Sequence, residues 1–435
     1  MKKKLLSILL CVGLVASLAA GCGSKKEESG EKGDGGEQLV YWSMWSEEEP
    51  QAKVISEATK KFTEETGIKV DVQFKGRNGQ REGLQPALDA GQKIDIFDED
   101  VNRVNGAWSK YLLDLEDLAK DYEAEHANET LFNIARTAGG GTLKTIPYQP
   151  SIFGFFYNKT LFEKAGIESA PTTWAELDAA CAKLVAAGIT PITGDDAYMT
   201  PYIGLHLARY IGQDGVKALV GDPAVADKVE SGEIPAVEWS DERVVAAISS
   251  IADFVEKGYY SKNITTNAFP AGQNQEFAAG EAAMIICGSW LPNEVKNLAS
   301  EDLEWGFFNY PSVEGGVEDN TYNNIANQVF AINKDCKQAE DAFKYIEYLT
   351  TGDVDMQFVE QAVSIPVDKA NADKWPENLA DVKEDFDATT FSYDWAAGVE
   401  NNNDVTPILK DSILKVYGGK LDAAGFVSAM EAATK

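Results

Sequence analysis

Ala282-Ala283-Met284-Ile285-Ile286-Cys287-Gly288-Ser289-Trp290-Leu291-Pro292 is an uncharged stretch that changes character halfway. Its first half is apolar and too short for a self-sufficient helix, which predicts a strand buried on both faces. Gly288 and Ser289 then turn the chain, and Pro292 suits the first turn of a helix. Trp290 therefore stands where a buried strand ends and a helix begins. In open α/β sheets ligands gather at the carboxyl ends of strands, so Trp290 is expected to floor a ligand cleft.

The chain feeding this stretch is α/β in pattern. Leu39-Val40-Tyr41-Trp42 reads as a first strand. Glu47-Glu48-Glu49-Pro50 opens a helix with Val54, Ile55, Ala58 and Phe62 on one face, ended by Gly67. Ile68, Val70, Val72 and Phe74 alternate as a second strand, which predicts a parallel β-α-β unit. Leu84 to Ala90 reads as a short helix, Ile94 to Phe97 as a third strand with acids after it, and Ala107 to Leu118 as a helix. Leu143 to Tyr148 leads into Pro150 and an aromatic strand from Phe153 to Tyr157, where the chain is expected to cross between lobes. Thr173-Trp174-Ala175-Glu176 is a capping box opening a helix. Further helices are expected from Asp241 to Glu256, Phe269 to Gly280 and Ala339 to Leu349, with a strand from Gln328 to Ile332.

At 435 residues the chain is too long for one ordinary core, so two lobes are expected. Hydrophobic residues make 44% and charged residues 25%, the balance of a globular protein. Asp and Glu number 70 against 39 Lys and Arg, a formal charge of -31 that repels nucleic acid and anionic headgroups. The first residues read as a secretion signal: Lys2 to Lys4, then an apolar run from Leu5 to Leu18. It meets Leu18-Ala19-Ala20-Gly21-Cys22, which resembles the bacterial lipoprotein cleavage box, although its leucine lies one place further from the cysteine than is commonest. Residues 1–21 are thus expected to be a signal peptide and Cys22 to be lipidated. Residues 22–37 are expected to form a flexible tether of roughly 20 Å reach, since Gly, Ser, Lys, Glu and Asp bury nothing. Cys181, Cys287 and Cys336 follow no metal or disulfide spacing and are expected in the core.

Several stretches in order are similar to the family 1 extracellular solute-binding proteins of carbohydrate ABC importers. They are the lipobox and tether with Trp42 and Trp45; Ile146-Pro147-Tyr148 with Phe156-Tyr157-Asn158-Lys159 and Leu161 to Gly166; Pro171 to Trp174; Gly280 to Trp290; and Gln328 to Ile332, closing at Ser364-Ile365-Pro366. The resemblance covers nearly the whole mature chain. It implies a two-lobed, periplasmic-binding-protein-like (Venus flytrap) α/β fold with a sugar cleft between lobes. One lobe would take residues 38–147 plus 291–333, the other 148–290 plus 334–435. It also implies a carbohydrate ligand, mono- or oligosaccharide, permease subunits of an ABC importer as partners, no cofactor and no metal. The protein would be a monomer, bound to the bilayer through Cys22 on the extracellular face of a Gram-positive cell.

A sugar stacks its C–H face on aromatic rings and offers hydroxyls to carboxylates, amides and Arg. On that chemistry the candidates for ligand contact are Trp45, Glu47, Arg77, Asp98, Asp100, Tyr148, Asp195, Trp290, Asn324, Asn327, Asp394 and Trp395. Each has a plainer alternative in core packing, a turn or a solvated surface. Trp42, Tyr157, Trp174, Trp239, Trp305 and Trp375 are assigned to packing. Two other function classes stay open. A secreted glycoside hydrolase needs only two carboxylates, yet with His126 and His206 as the sole histidines and no nucleophile elbow, phosphate loop or zinc motif, no enzyme is expected. A binder of another solute is the second, and Tyr259-Tyr260 would suit iron if it did not lie at a helix end where aromatic pairs pack.

Overall fold

The opening β-α-β unit forms as the periodicity predicts. The structure is a computed structural model describing residues 38–269, 271–300 and 303–434. The expected signal peptide, Cys22 and tether lie outside the described residues. Strand β1 (Leu39–Ser43) is followed by the helix Pro50–Thr66 and by β2 (Val70–Phe74), parallel to β1. The helix stops where Gly67 takes a φ of 75° and its N–H bonds the Thr63 carbonyl, a left-handed cap that only glycine adopts without cost.

Strand β3 (Ile96–Asp100) joins β1 on its other side, also parallel. Two expectations need correcting here. Asp98 and Asp100 lie within the strand, not after it. Residues 107–118 are not the next helix; the helix is Val101–Ala107, followed by a single 3-10 turn at Ser109–Tyr111. The cause is a cap: Asp100 Oδ1 accepts from the N–H of Asn102 at 3.0 Å and of Arg103 at 3.3 Å, starting the helix where the strand ends.

Strands β4 (Thr145–Asn158) and β8 (Tyr322–Ile332) are each longer than the pattern suggested. They pair antiparallel from Thr145 opposite Ala331 to Phe153 opposite Asn324, with a bulge between Pro147 and Gln149. The remaining strands are β5 (Thr190–Thr193), β6 (Ala282–Gly288), β7 (Trp305–Phe308) and β9 (Phe391–Ser392). The sheet order is β2-β1-β3-β8-β4-β6-β5, with β7 on β4 and β9 on β8.

Side chains from the two ends of this sheet form separate cores. The first gathers β1 to β3, Ile146 and Tyr148 of β4, Val329 to Ile332 of β8, and residues of the helices Ala339–Thr350 and Gly352–Ala362. The second gathers Ile152 to Phe156 of β4, Ile325 of β8, β6 and the remaining large helices. Among the described residues, only β4 and β8 put residues of one strand into both. Core membership crosses the expected division in both directions. Leu291, Val295, Phe307 and Phe308 pack in the second core, while Ala342, Tyr345, Ile346 and Phe358 pack in the first. The reason is that β6, which leads into Leu291, and β7 both pair with the second half of β4, and that Tyr345 meets Phe62 at 5.1 Å, folding its helix back on the first helix. The sequence reading also missed the helix Met199–Val220, which carries a kink at Gly212.

Candidate ligand-binding site

All seven residues of β6 are buried, as the apolar run predicted. Beyond it the chain turns, and Pro292 lies in the first turn of the helix Leu291–Val295. The Trp290 ring folds back over Gly288: a β-carbon on that glycine would stand 2.0 Å from the ring. Glycine here is thus what lets the indole lie against the strand end. The half-buried ring is 6.4 Å from Phe153 and 6.3 Å from Tyr198. Phe153 also meets Tyr198 at 5.5 Å and the half-buried Trp395 edge-on at 5.6 Å. Tyr198 in turn meets the exposed Phe269 at 5.3 Å. Five rings from five separate segments therefore form one cluster, in which Tyr198, Trp290 and Trp395 meet Phe153 and Phe269 joins through Tyr198.

Trp395 is fixed by a strained turn. Ala396 and Ala397 both have a φ of 53°, a conformation costing a non-glycine residue about 1–3 kcal/mol. The surroundings hold it there. Trp395 Nε1 donates to Glu400 at 3.1 Å, the Asp394 N–H donates to Gln213 at 2.7 Å, and the Asp394 carboxylate pairs with Lys217. Asn324 Nδ2 donates to the carbonyls of Tyr393 and Asp394 at 3.2 and 3.3 Å. Gly204 makes room for the turn, since a β-carbon there would stand 2.1 Å from the Ala396 carbonyl oxygen.

Asp195 follows β5 and is buried, with Oδ1 accepting from the N–H groups of Ala197 and Tyr198. Burial lifts its carboxyl to about 6, against the pull of those two hydrogen bonds. Asp195, Trp290, Asn324, Asp394 and Trp395 are thus one neighbourhood, drawn from four distant parts of the sequence.

Trp45, Arg77, Asp98 and Tyr148 form a second, on the first core. Asp98 is fully buried and accepts from the Met44 N–H at 2.9 Å and the Tyr148 hydroxyl at 2.5 Å. Desolvation dominates and raises its carboxyl to about 7. Tyr148 accepts from Trp45 Nε1 at 2.7 Å and stacks on Phe330 at 4.1 Å. Trp45 and Tyr148, read as open contact surfaces, are therefore core residues with their polar atoms engaged. The Arg77 guanidinium lies 4.5 Å from the centre of the Trp45 ring and pairs with Glu49 at 3.0 Å.

Asn327 sits on β8 between the two sets, buried, with neither amide atom bonded within the described protein. Asp100, the helix cap, and Glu47, exposed before the first helix, belong to neither set. Tyr259 and Tyr260 are core residues against Phe254 and Tyr417. Cys181 and Cys287 are buried, while Cys336 is only partly so. Sequence reasoning missed Phe153, Tyr198, Gln273, Glu294 and Glu400. For Tyr198 a signal existed: an Asp three residues upstream is a capping pattern.

Comparison with known proteins agrees with this architecture. A binding protein of Brucella abortus is 25% identical over 284 residues, 63% of each chain, so less than two thirds of that relative's length is spanned. The sn-glycerol-3-phosphate-binding periplasmic protein of Brucella melitensis is 24% identical over 230 residues, 52% of this chain and 49% of the relative. The solved structure of a chitin oligosaccharide binding protein superposes with a TM-score of 0.70 at 19% identity, covering 92% of this chain and 99% of the other. The sequence profile of the family described as bacterial extracellular solute-binding protein matches residues 45–356. The chain therefore belongs to the bacterial extracellular solute-binding proteins and has their two-lobed α/β fold.

Proposed function

We propose that this protein captures a mono- or oligosaccharide by closing its lobes on it and delivers it to the permease subunits of an ABC-type importer. The observation that carries the reading is the ring cluster around Phe153. Half-buried Trp290 and Trp395 stand at strand and loop ends beside Asp195, Asn324 and Asp394. Apolar faces beside hydrogen-bonding groups match the two surfaces of a sugar. The chitin oligosaccharide binding protein supports the same ligand class. Closure would bend the chain where β4 and β8 pass between the cores, near the bulge at Pro147 and Gln149. Sugar would shift the population by its differential affinity for the closed form. In this reading the lobes follow the two cores, and the first lobe supplies a wall through Arg77, which lies over the buried Trp45 ring.

Cys22 would carry the lipid that holds the protein outside a Gram-positive membrane. Among the described residues no helix is long and apolar enough to cross one. The test is calorimetry and tryptophan fluorescence across a glycan panel, with product analysis of each mixture. Binding of one glycan class at roughly micromolar affinity, about -8 kcal/mol, without turnover is expected. Hydrolysis of a bound glycan would replace this reading with a glycosidase.

A further inference from the structure

The relatives above differ in ligand chemistry, an oligosaccharide for one and a phosphate ester for another. The second core carries observations that choose between these for this chain. Its helix Met199–Val220 begins beside the ring cluster. A helix N-terminus is a ready anion site, because its free N–H groups and its dipole both favour a phosphate. Here the protein's own carboxylate stands in the turn that leads into the helix. Asp195 Oδ1 accepts from Ala197 at 2.9 Å and Tyr198 at 3.1 Å. Its second oxygen, Oδ2, is buried and has no hydrogen-bond partner in the described protein.

The helix Ala271–Ala278 supplies an independent sign. Its Glu276 accepts from Thr193, at the end of β5, and from Ser261 at 3.0 Å. Gln273 lies three residues, about 4.5 Å, nearer the helix N-terminus, toward the strand ends. It is fully buried, and neither amide atom is bonded within the described protein. Next to it Asn274 donates to Glu294 at 2.8 Å.

The charges here are mostly acidic. Among the described residues, Glu294 feels the charge of Asp195, and Lys410 acts on Asp195 and Glu400. Two other nearby cations are committed: Lys217 to Asp394, and Arg209 to three backbone carbonyls and the Tyr393 hydroxyl. Burial raises the carboxyls of Glu294 and Glu400 as it does that of Asp195.

We infer that this wall takes ligand groups that donate hydrogen bonds without negative charge, the hydroxyls of an uncharged saccharide or of its amino derivative, and turns away phosphorylated and carboxylated ligands. The inference rests on the carbohydrate reading and narrows it. The unpartnered Oδ2 of Asp195 needs a donor, and a second anion would meet carboxylates where a cation is required.

The experiment is calorimetry on the full chain with matched probes. Cellobiose, maltose, xylobiose and N,N′-diacetylchitobiose are the neutral arm, chitobiose the amino arm, and digalacturonate, cellobiose phosphate and sn-glycerol 3-phosphate the anionic arm. The neutral or amino arm should bind, with anionic counterparts weaker by about tenfold or more. Asp195→Asn, which keeps the Oδ1 cap and removes the charge, should narrow that gap, as should Glu294→Gln. An anionic probe bound as tightly as its neutral counterpart, or a gap that both variants leave unchanged, overturns the inference and leaves the carbohydrate reading standing. Binding of sn-glycerol 3-phosphate with no saccharide bound overturns both.

Discussion

Asp98→Asn tests the buried carboxyl that Met44 and Tyr148 bond in the first core. Asp98 is fully buried, and desolvation lifts its carboxyl from 3.8 to about 7, although the Tyr148 hydroxyl and the Met44 N–H both pull it down. Between those values the folded chain holds a proton that the unfolded chain has lost. Stability from this group is therefore full below about pH 4 and falls as pH rises toward about 7. Roughly three pH units at about 1.4 kcal/mol each give a loss on the order of 4 kcal/mol. Asparagine keeps an oxygen for the Met44 N–H and does not titrate. Urea unfolding of both proteins from pH 4 to 8, followed by tryptophan fluorescence, is the assay. The stability of the wild type minus that of Asp98→Asn should drop by a few kcal/mol across the window. Other acids lifted by burial, such as Asp355 and Asp385, titrate in both proteins and cancel. A difference that stays flat, or climbs with pH, would mean that Asp98 ionises as freely inside the fold as outside it. The account of its burial among Ser43, Met44 and Tyr148 would then be wrong.

Three further outcomes follow from the second core. Trp290→Ala should weaken saccharide binding by about tenfold, the scale of a lost ring contact of about 1.5 kcal/mol, with the unfolding midpoint nearly unchanged; unchanged affinity in a folded variant removes Trp290 from the site. Gly204→Ala places a β-carbon 2.1 Å from the Ala396 carbonyl oxygen and 2.8 Å from Val399. It should cost about 1–3 kcal/mol in urea titration and also lower affinity through Trp395; a neutral effect on both would show that the turn is loose. Arg209→Met withdraws the donor from the carbonyls of Tyr310, Pro311 and Tyr322 and from the Tyr393 hydroxyl. It should destabilise by about 3–5 kcal/mol, and a loss under 1 kcal/mol in chemical unfolding would refute that role.

Much of the fold was legible because its signals are local. The Thr173 capping box forms as read, with Thr173 and Glu176 each satisfying the other's backbone N–H. Gly67 and Pro292 sit at the helix boundaries they marked. The errors arose where a local pattern had two continuations. Asp100 suits a turn acid or a cap, and capping won. Residues 143–148 and 153–157 read as two pieces because Pro147 and Pro150 interrupt the alternation. The bulge beside Pro147 absorbs that interruption, so β4 continues as one strand.

The site divides along the same line. That Trp290 follows a buried strand was legible in residues a few places apart, whereas the strand before Asp195, β5, was not. Which of the spare aromatics stand together was settled by long-range packing. Phe153, Trp290 and Trp395 meet because β4 pairs with β6 and because the strained turn at Ala396 packs against Gly204. Burial, which no neighbouring residue announces, turned Trp45 and Tyr148 from candidate surfaces into a core network and left Oδ2 of Asp195 without a partner. A pairing across a sheet is fixed by the register of whole strands, and the free energy that sets it is summed over a core, not carried by any one stretch.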